Sequence, residues 1–264
     1  MWGSDGPELG SPDEVGAVGG VGGFSFSAGG FALAYHVGVV KVLVSTGLLM
    51  RETPLSGSSA GAVVAAMLKS GLGPSDLEAL FFEIAHDLRS NGCNGRVLDV
   101  LRVQLEARLP HDAHTLCNDG TLFLGVSRLL LLQLQLVSRF ESRGDLIDAV
   151  LASCFIPKMT GSSWTHTFRG NLVADGGLTG LLPASKSSLA HHVKVLCLPA
   201  ARVRRLPLLN KAKSLANVAV APDLFGDDAH QICAELPAYI NAPGPDEFYR
   251  RLMAKGEADT RALY

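Results

Sequence analysis

The feature that most constrains this chain is a serine flanked by glycines at a point where the local pattern changes. Leu55 ends an extended stretch, Gly57-Ser58-Ser59-Ala60-Gly61 follows, and Ala62 to Leu72 reads as a buried helix of mostly small residues, stopped by Gly73-Pro74. A serine at a sharp strand-to-helix turn projects its hydroxyl outward, and glycines two residues to either side leave room for the turn. Ser59 would also sit at a helix N-terminus, whose partial positive charge favours a developing oxyanion. As a bare pattern the segment also reads as an ordinary Gly/Ser-rich turn, so the rest of the chain must decide.

Two further glycine turns lie at strand ends. Val21 to Ser27 alternates as a short strand, and Ser27-Ala28-Gly29-Gly30-Phe31 leads into Phe31 to Leu49, apolar at helical spacing. Two backbone N–H groups at such a turn can form an oxyanion hole. A phosphate-binding P-loop is excluded because no Gly-Lys-Ser/Thr follows, and the later glycines of a dinucleotide fingerprint are missing. The third turn is Asp175-Gly176-Gly177, after the short strand Asn171 to Ala174 and before Leu182-Pro183. Taken alone, the second is a structural turn and the third a common Asp-Gly turn. His191-His192 reads as a solvated loop pair, and His36 as a hydrogen-bonded core histidine.

The remaining pattern alternates strands and helices. Ser75 with Glu78 has the form of a capping box for a helix from Asp76 to Leu88, and another helix is expected from Arg96 to Leu109. Thr121 to Val126 and Leu132 to Val137 read as strands, Asp145 to Ala152 as a helix, Val193 to Leu198 as a strand, and Asp246 to Leu263 as a late helix. That places the chain in the α/β class. At 47% hydrophobic and 18% charged residues there is ample material for a core. A net charge of −2 gives no footprint for nucleic acid. The five cysteines are scattered and form no CxxC, which argues against a disulfide framework or a zinc site and fits a reducing compartment. The apolar run Leu129 to Leu132 is soon broken by Gln133, Gln135 and Arg139, too short to span a bilayer. Residues 1–20 read as a disordered leader, lacking the basic residues of a secretory or transit signal.

In order, the Gly turn with Tyr35-His36-Val37-Gly38-Val39, Gly57-Ser58-Ser59-Ala60-Gly61, Ser153-Cys154-Phe155-Ile156-Pro157 and Asp175-Gly176-Gly177-Leu178 through Pro183 closely resemble the patatin-like phospholipase family. The likeness covers roughly Phe24 to Pro199, with a flavour of the eukaryotic triacylglycerol-lipase branch. The resemblance implies a three-layer α/β/α sandwich with a central, mostly parallel sheet. It implies a Ser–Asp dyad, with Ser59 as nucleophile and Asp175 as general base. Gly29 and Gly30 would supply oxyanion N–H groups, helped by Ser58 or Ala60, and Gly57, Gly61, Gly176 and Gly177 are motif glycines. It further implies hydrolysis of acyl lipids without a metal or other cofactor, by a cytoplasmic protein working peripherally at a membrane or lipid-droplet surface. Residues 21–200 would form the catalytic domain and 201–264 an extension with the late helix. The family's oxyanion motif usually has glycine where this chain has Ala28 and Leu33, which would strain the turn if Ala28 needed a positive φ. Two rivals stay open: a Ser–His–Asp esterase using His191 or His192, and a catalytically weak or inactive protein that keeps the fold to bind lipid surfaces.

Overall fold

The computed structural model describes residues 22–183, 192–205, 218–226 and 229–264. The leader expected over residues 1–20 and the candidate His191 lie outside them. β1 (Gly23–Phe26) passes through a 3-10 turn (Gly30–Ala32) into α1 (Leu33–Ser45), and β2 (Leu55–Ser58) passes into α2 (Ala60–Lys69). Then come α3 (Pro74–Asn91), α4 (Val97–Arg108), α5 (Ala113–Cys117), the hairpin β3 (Leu122–Arg128) and β4 (Gln133–Val137), and α6 (Arg143–Ser153). The short pair β5 (His166–Phe168) and β6 (Asn171–Ala174) precedes β7 (His192–Val195), α7 (Ala200–Val203), β8 (Val218–Val220), α8 (Ala229–Tyr239) and α9 (Asp246–Leu263).

One expected cap is corrected. The helix read from Asp76 starts at Pro74, with Gly73 as its N-cap. The Asp76 carboxylate accepts from the Gly73 N–H at 2.8 Å, while Glu78 turns to Lys41 at 2.7 Å. Proline has its φ preset for the first helical position and has no N–H to satisfy there, so the start moves ahead of Ser75.

The strands form one eight-stranded sheet in the order β5-β6-β3-β2-β1-β7-β8, with β4 also on β3. β3, β2, β1, β7 and β8 run parallel, while β4, β5 and β6 join antiparallel. Every residue of β1 and β2 is buried, as in a sheet covered on both faces. The fold is α/β, a mostly parallel sheet with flanking helices.

Register sorts the central strands into two unlike faces, because side chains alternate. Phe24 lies beside Leu55 and Val193, and Leu55 beside Leu122, so one face is apolar. One residue on, Ser25 lies beside Ser56, and Ser58 and Ser127 share that second face. Its serines have a purpose: Ser25 Oγ and Ser56 Oγ both donate to the Pro183 carbonyl at 2.6 Å, and Ser58 Oγ donates to the Gly180 carbonyl at 2.7 Å. The chain after Asp175 is thereby pinned across the sheet.

The last helix belongs to the same packed body. A methyl group at Gly38 would lie 1.9 Å from the Met253 carbonyl oxygen, and one at Gly256 2.3 Å from that of Tyr35, so α1 and α9 touch backbone to backbone. Between them the Tyr35 hydroxyl donates to Asp259 at 2.7 Å, and Lys255 pairs with Asp259 at 2.6 Å, both buried. No helix among the described residues is long and apolar enough to cross a membrane.

Candidate active site

β2 ends on Ser58, and Ser59 turns the chain into α2 with φ 52 and ψ −118. A non-glycine residue rarely takes a positive φ, and here the surroundings enforce it. A Cβ at Gly57 would lie 2.0 Å from the Gly61 carbonyl oxygen, and one at Gly61 2.1 Å from that of Phe26. Both motif glycines are therefore required by backbone contact. The Ser59 N–H donates to Ser153 Oγ at 2.8 Å, whose hydroxyl donates in turn to the Gly125 carbonyl at 2.6 Å. Ser153 thus ties the elbow to β3 and to the end of α6.

Asp175 reaches the elbow from the other side. Its N–H donates to the Phe155 carbonyl at 2.7 Å, and its own carbonyl accepts from Ser127 Oγ at 2.7 Å. Its Oδ1 accepts from the Gly177 N–H at 2.8 Å, and its carboxyl shares one cavity with Ser59, whose side chain favours the ionised carboxylate. Gly176 and Gly177 allow this approach: a Cβ at the first would lie 2.1 Å from the Gly125 carbonyl oxygen, and at the second 2.6 Å from the Ala28 methyl. Burial pushes the Asp175 carboxyl up to about 6, against the Ser59 side chain and the Gly177 N–H, which favour its ionised form. The neighbouring Cys154 thiol is raised far above its ordinary value by burial and by the Asp175 charge, and stays protonated.

The first glycine turn faces the same space. Gly30 has φ 54, while Ala28 is not among the residues with positive φ, so the alanine carries no such strain. The Ala28 N–H donates to the Leu181 carbonyl at 3.0 Å. The Phe31 N–H is taken by the Ile240 carbonyl, also at 3.0 Å, and a Cβ at Gly30 would lie 2.4 Å from that oxygen. The C-terminal part of the chain therefore holds this loop in shape. Behind it, His36 is fully buried, with Nε2 at 3.0 Å from the Ser27 carbonyl oxygen, and burial lowers it to about 4, so the ring is neutral.

Ser59, Asp175, Gly29, Gly30, Ala28 and Leu33 all line one cavity of about 570 Å³. Its walls are largely apolar, from Leu80, Phe81 and Ile84 of α3, Val97 and Leu101 of α4, and Phe155, Met159 and Ile240. No histidine among the described residues lines it. His192 lies beside Gly23 at the start of β1, the opposite end of the sheet from Ser59. It cannot serve as the base of a Ser–His–Asp triad there. In the sequence reading Ser153 is only part of a motif stretch and Ser58 only an oxyanion helper, while Ser25, Ser56, Ser127 and Ile240 carry no role. The alternation Phe24-Ser25-Phe26-Ser27 was the one local sign of a polar face beneath the site.

The sequence model of the patatin-like phospholipase family matches residues 24–185. The omega-hydroxyceramide transacylase of Homo sapiens is 33% identical over 170 residues, which cover 61% of this chain and 31% of that protein. Patatin-like phospholipase domain-containing protein 4 of Homo sapiens is 32% identical over 169 residues, covering 60% of this chain and 65% of that protein. The chain thus aligns with under two thirds of either relative's length. Among solved structures, VipD from Legionella pneumophila superposes with a TM-score of 0.54 at 12% identity, over 90% of this chain and 65% of that one, a likeness of fold alone.

Proposed function

The chain belongs to the patatin-like phospholipase family, and we propose that it is a lipid acyl hydrolase that uses Ser59 and Asp175 as a catalytic dyad. One observation carries the reading: Ser59 and Asp175 line the same largely apolar cavity, the Ser59 side chain near enough to favour the ionised Asp175 carboxyl, and no described histidine lines it. Ser59 Oγ attacks the ester carbonyl as its proton passes to Asp175, and the oxyanion is met by backbone N–H groups of Gly29 and Gly30, with Ala60 at the start of α2. The Ser59 N–H, committed to Ser153, is not among these donors. The tetrahedral intermediate collapses, the leaving alcohol takes the proton from Asp175, and an acyl-Ser59 ester remains. Water, giving its proton to the same carboxylate, then releases the fatty acid and restores the serine.

An ordinary aspartate, with a pKa of about 3.9, is a weak base at neutral pH. Raised to about 6, Asp175 is a stronger base and still ionised at pH 7. The apolar walls favour a fatty acyl chain, which makes triacylglycerol and phospholipid the substrate classes to assay. The named activity of the transacylase relative adds a second fate for acyl-Ser59, transfer to an alcohol in place of water. Such a protein would work from the cytoplasmic side at a lipid surface.

The experiment is Ser59→Ala, assayed on a soluble ester such as p-nitrophenyl butyrate and on a panel of acyl lipids, with fluorophosphonate labelling of both proteins. Loss of turnover and of labelling, in a variant with unchanged circular dichroism, is the expected result. Substantial turnover by the variant would remove the proposed nucleophile. An unlabelled parent protein would favour a binding protein with a dead site.

A further inference from the structure

Four consecutive leucines, Leu129 to Leu132, form the turn between β3 and β4, and three of them face solvent: Leu130 is 90% exposed, Leu131 48% and Leu132 58%. Exposed apolar groups set side by side are unfavourable in water and mark contact surfaces. Leu132 also has φ 47, a conformation in which glycine or asparagine costs less. A leucine here is therefore costly twice, in solvation and in backbone strain, and neither cost benefits the turn itself.

The tip stands close to the proposed site. Leu129 is two residues beyond Ser127, a span of at most about 7 Å. Ser127 Oγ bonds the Asp175 carbonyl and the Thr179 hydroxyl, each at 2.7 Å. The Leu129 N–H donates to the carbonyl of Leu172, itself 47% exposed. Leu178, 38% exposed, lies next to Thr179 and lines the cavity. Exposed apolar residues thus stand at the tip, on the strand bonded to it and at the cavity lining. Residues 122–137 and 166–174, the two hairpins involved, contain no Asp or Glu. Arg128 at the base of the tip bonds Asn171 Oδ1 at 2.7 Å, so its charge is not cancelled by that partner. A lipid headgroup layer would meet apolar side chains and positive charge there, with no fixed negative charge on either hairpin.

We infer that the leucine tip is a lipid-surface anchor: Leu130, Leu131 and Leu132 insert into a phospholipid surface and set the cavity rim beside it. This rests on the reading of the cavity as an acyl-ester site, and the test separates the two. The full chain is sedimented with vesicles of phosphatidylcholine and phosphatidylserine, beside the variant Leu130→Ser/Leu131→Ser/Leu132→Asn, asparagine being tolerant of the positive φ. Vesicle affinity should fall at least tenfold in the variant, with hydrolysis of vesicle-borne ester falling in step. Hydrolysis of soluble p-nitrophenyl butyrate should not change. Equal binding by parent and variant overturns the anchor, as does a parent that cleaves the soluble ester yet binds no vesicles. Sedimentation velocity adds a further arm: self-association of the parent that the variant loses would assign the tip to a second copy of the chain and overturn the lipid proposal. Failure of both proteins on the soluble ester points instead to the dyad reading.

Discussion

The two faces of the sheet carry different tasks. On one, Phe24, Phe26, Leu55, Leu122 and Leu124 are fully buried and join the main core. On the other, Ser25, Ser56, Ser58 and Ser127 are just as buried, yet each spends its hydroxyl on a carbonyl between Asp175 and Pro183. The first face stabilises the molecule by removing apolar area from water. The second adds little net stability per bond, because each replaces a bond to water, but it fixes where Asp175 stands. Substitutions on the first face should therefore act on stability, and substitutions on the second on rate.

The largest effect is expected at the residue the serine face positions. Asp175→Asn should lower turnover by about 10²–10⁴-fold, the usual worth of a general base, measured on the soluble ester. The same variant should be more stable at neutral pH. The folded protein holds this proton more tightly than an unfolded chain, so ionising Asp175 costs stability as pH rises from about 4 to about 6. Above that range Asn removes the cost, a gain of at most about 3 kcal/mol in unfolding free energy, read from denaturant titrations. A destabilised Asp175→Asn protein would contradict the burial argument.

Phe26→Ala probes the apolar face. It should cost about 3–5 kcal/mol of stability in urea titrations, while kcat per folded molecule changes by less than the serine-face variants change it. Ser127→Ala is the converse. It leaves buried carbonyls with one donor fewer, about 1–3 kcal/mol, but should lower kcat by roughly tenfold, since one such displacement at a reacting pair is felt strongly. If Ser127→Ala lost stability alone, the division of labour between the faces would fail. The smallest effect is the pH profile: kcat/KM should rise through a pH of about 6, as Asp175 ionises, and then level off. The rise should vanish in the residual activity of Asp175→Asn.

Much of this was legible in the residues. The elbow, the Asp-Gly-Gly turn and the α/β alternation are local patterns, in which spacing and residue type dictate backbone shape. Gly57, Gly61, Gly176 and Gly177 each sit where a Cβ would strike another backbone or side chain, so their identity was set by contacts that short sequence motifs encode. Ser75 with Glu78 misled because a proline one residue earlier made a better helix start.

What the order of residues by itself determined was the set of turns and the identity of the groups they present. Which groups meet was decided in three dimensions, because a strand fixes only which way a side chain points and not what crosses above it. The serines of β1, β2 and β3 look like ordinary polar alternation until the Gly180–Pro183 segment is laid across them. The Ile240 carbonyl, more than 200 residues from Phe31, reaches the first glycine turn from the end of α8, while α9 packs against α1 through Gly38 and Gly256. Contacts across such separations depend on how whole elements pack, and no local pattern records them.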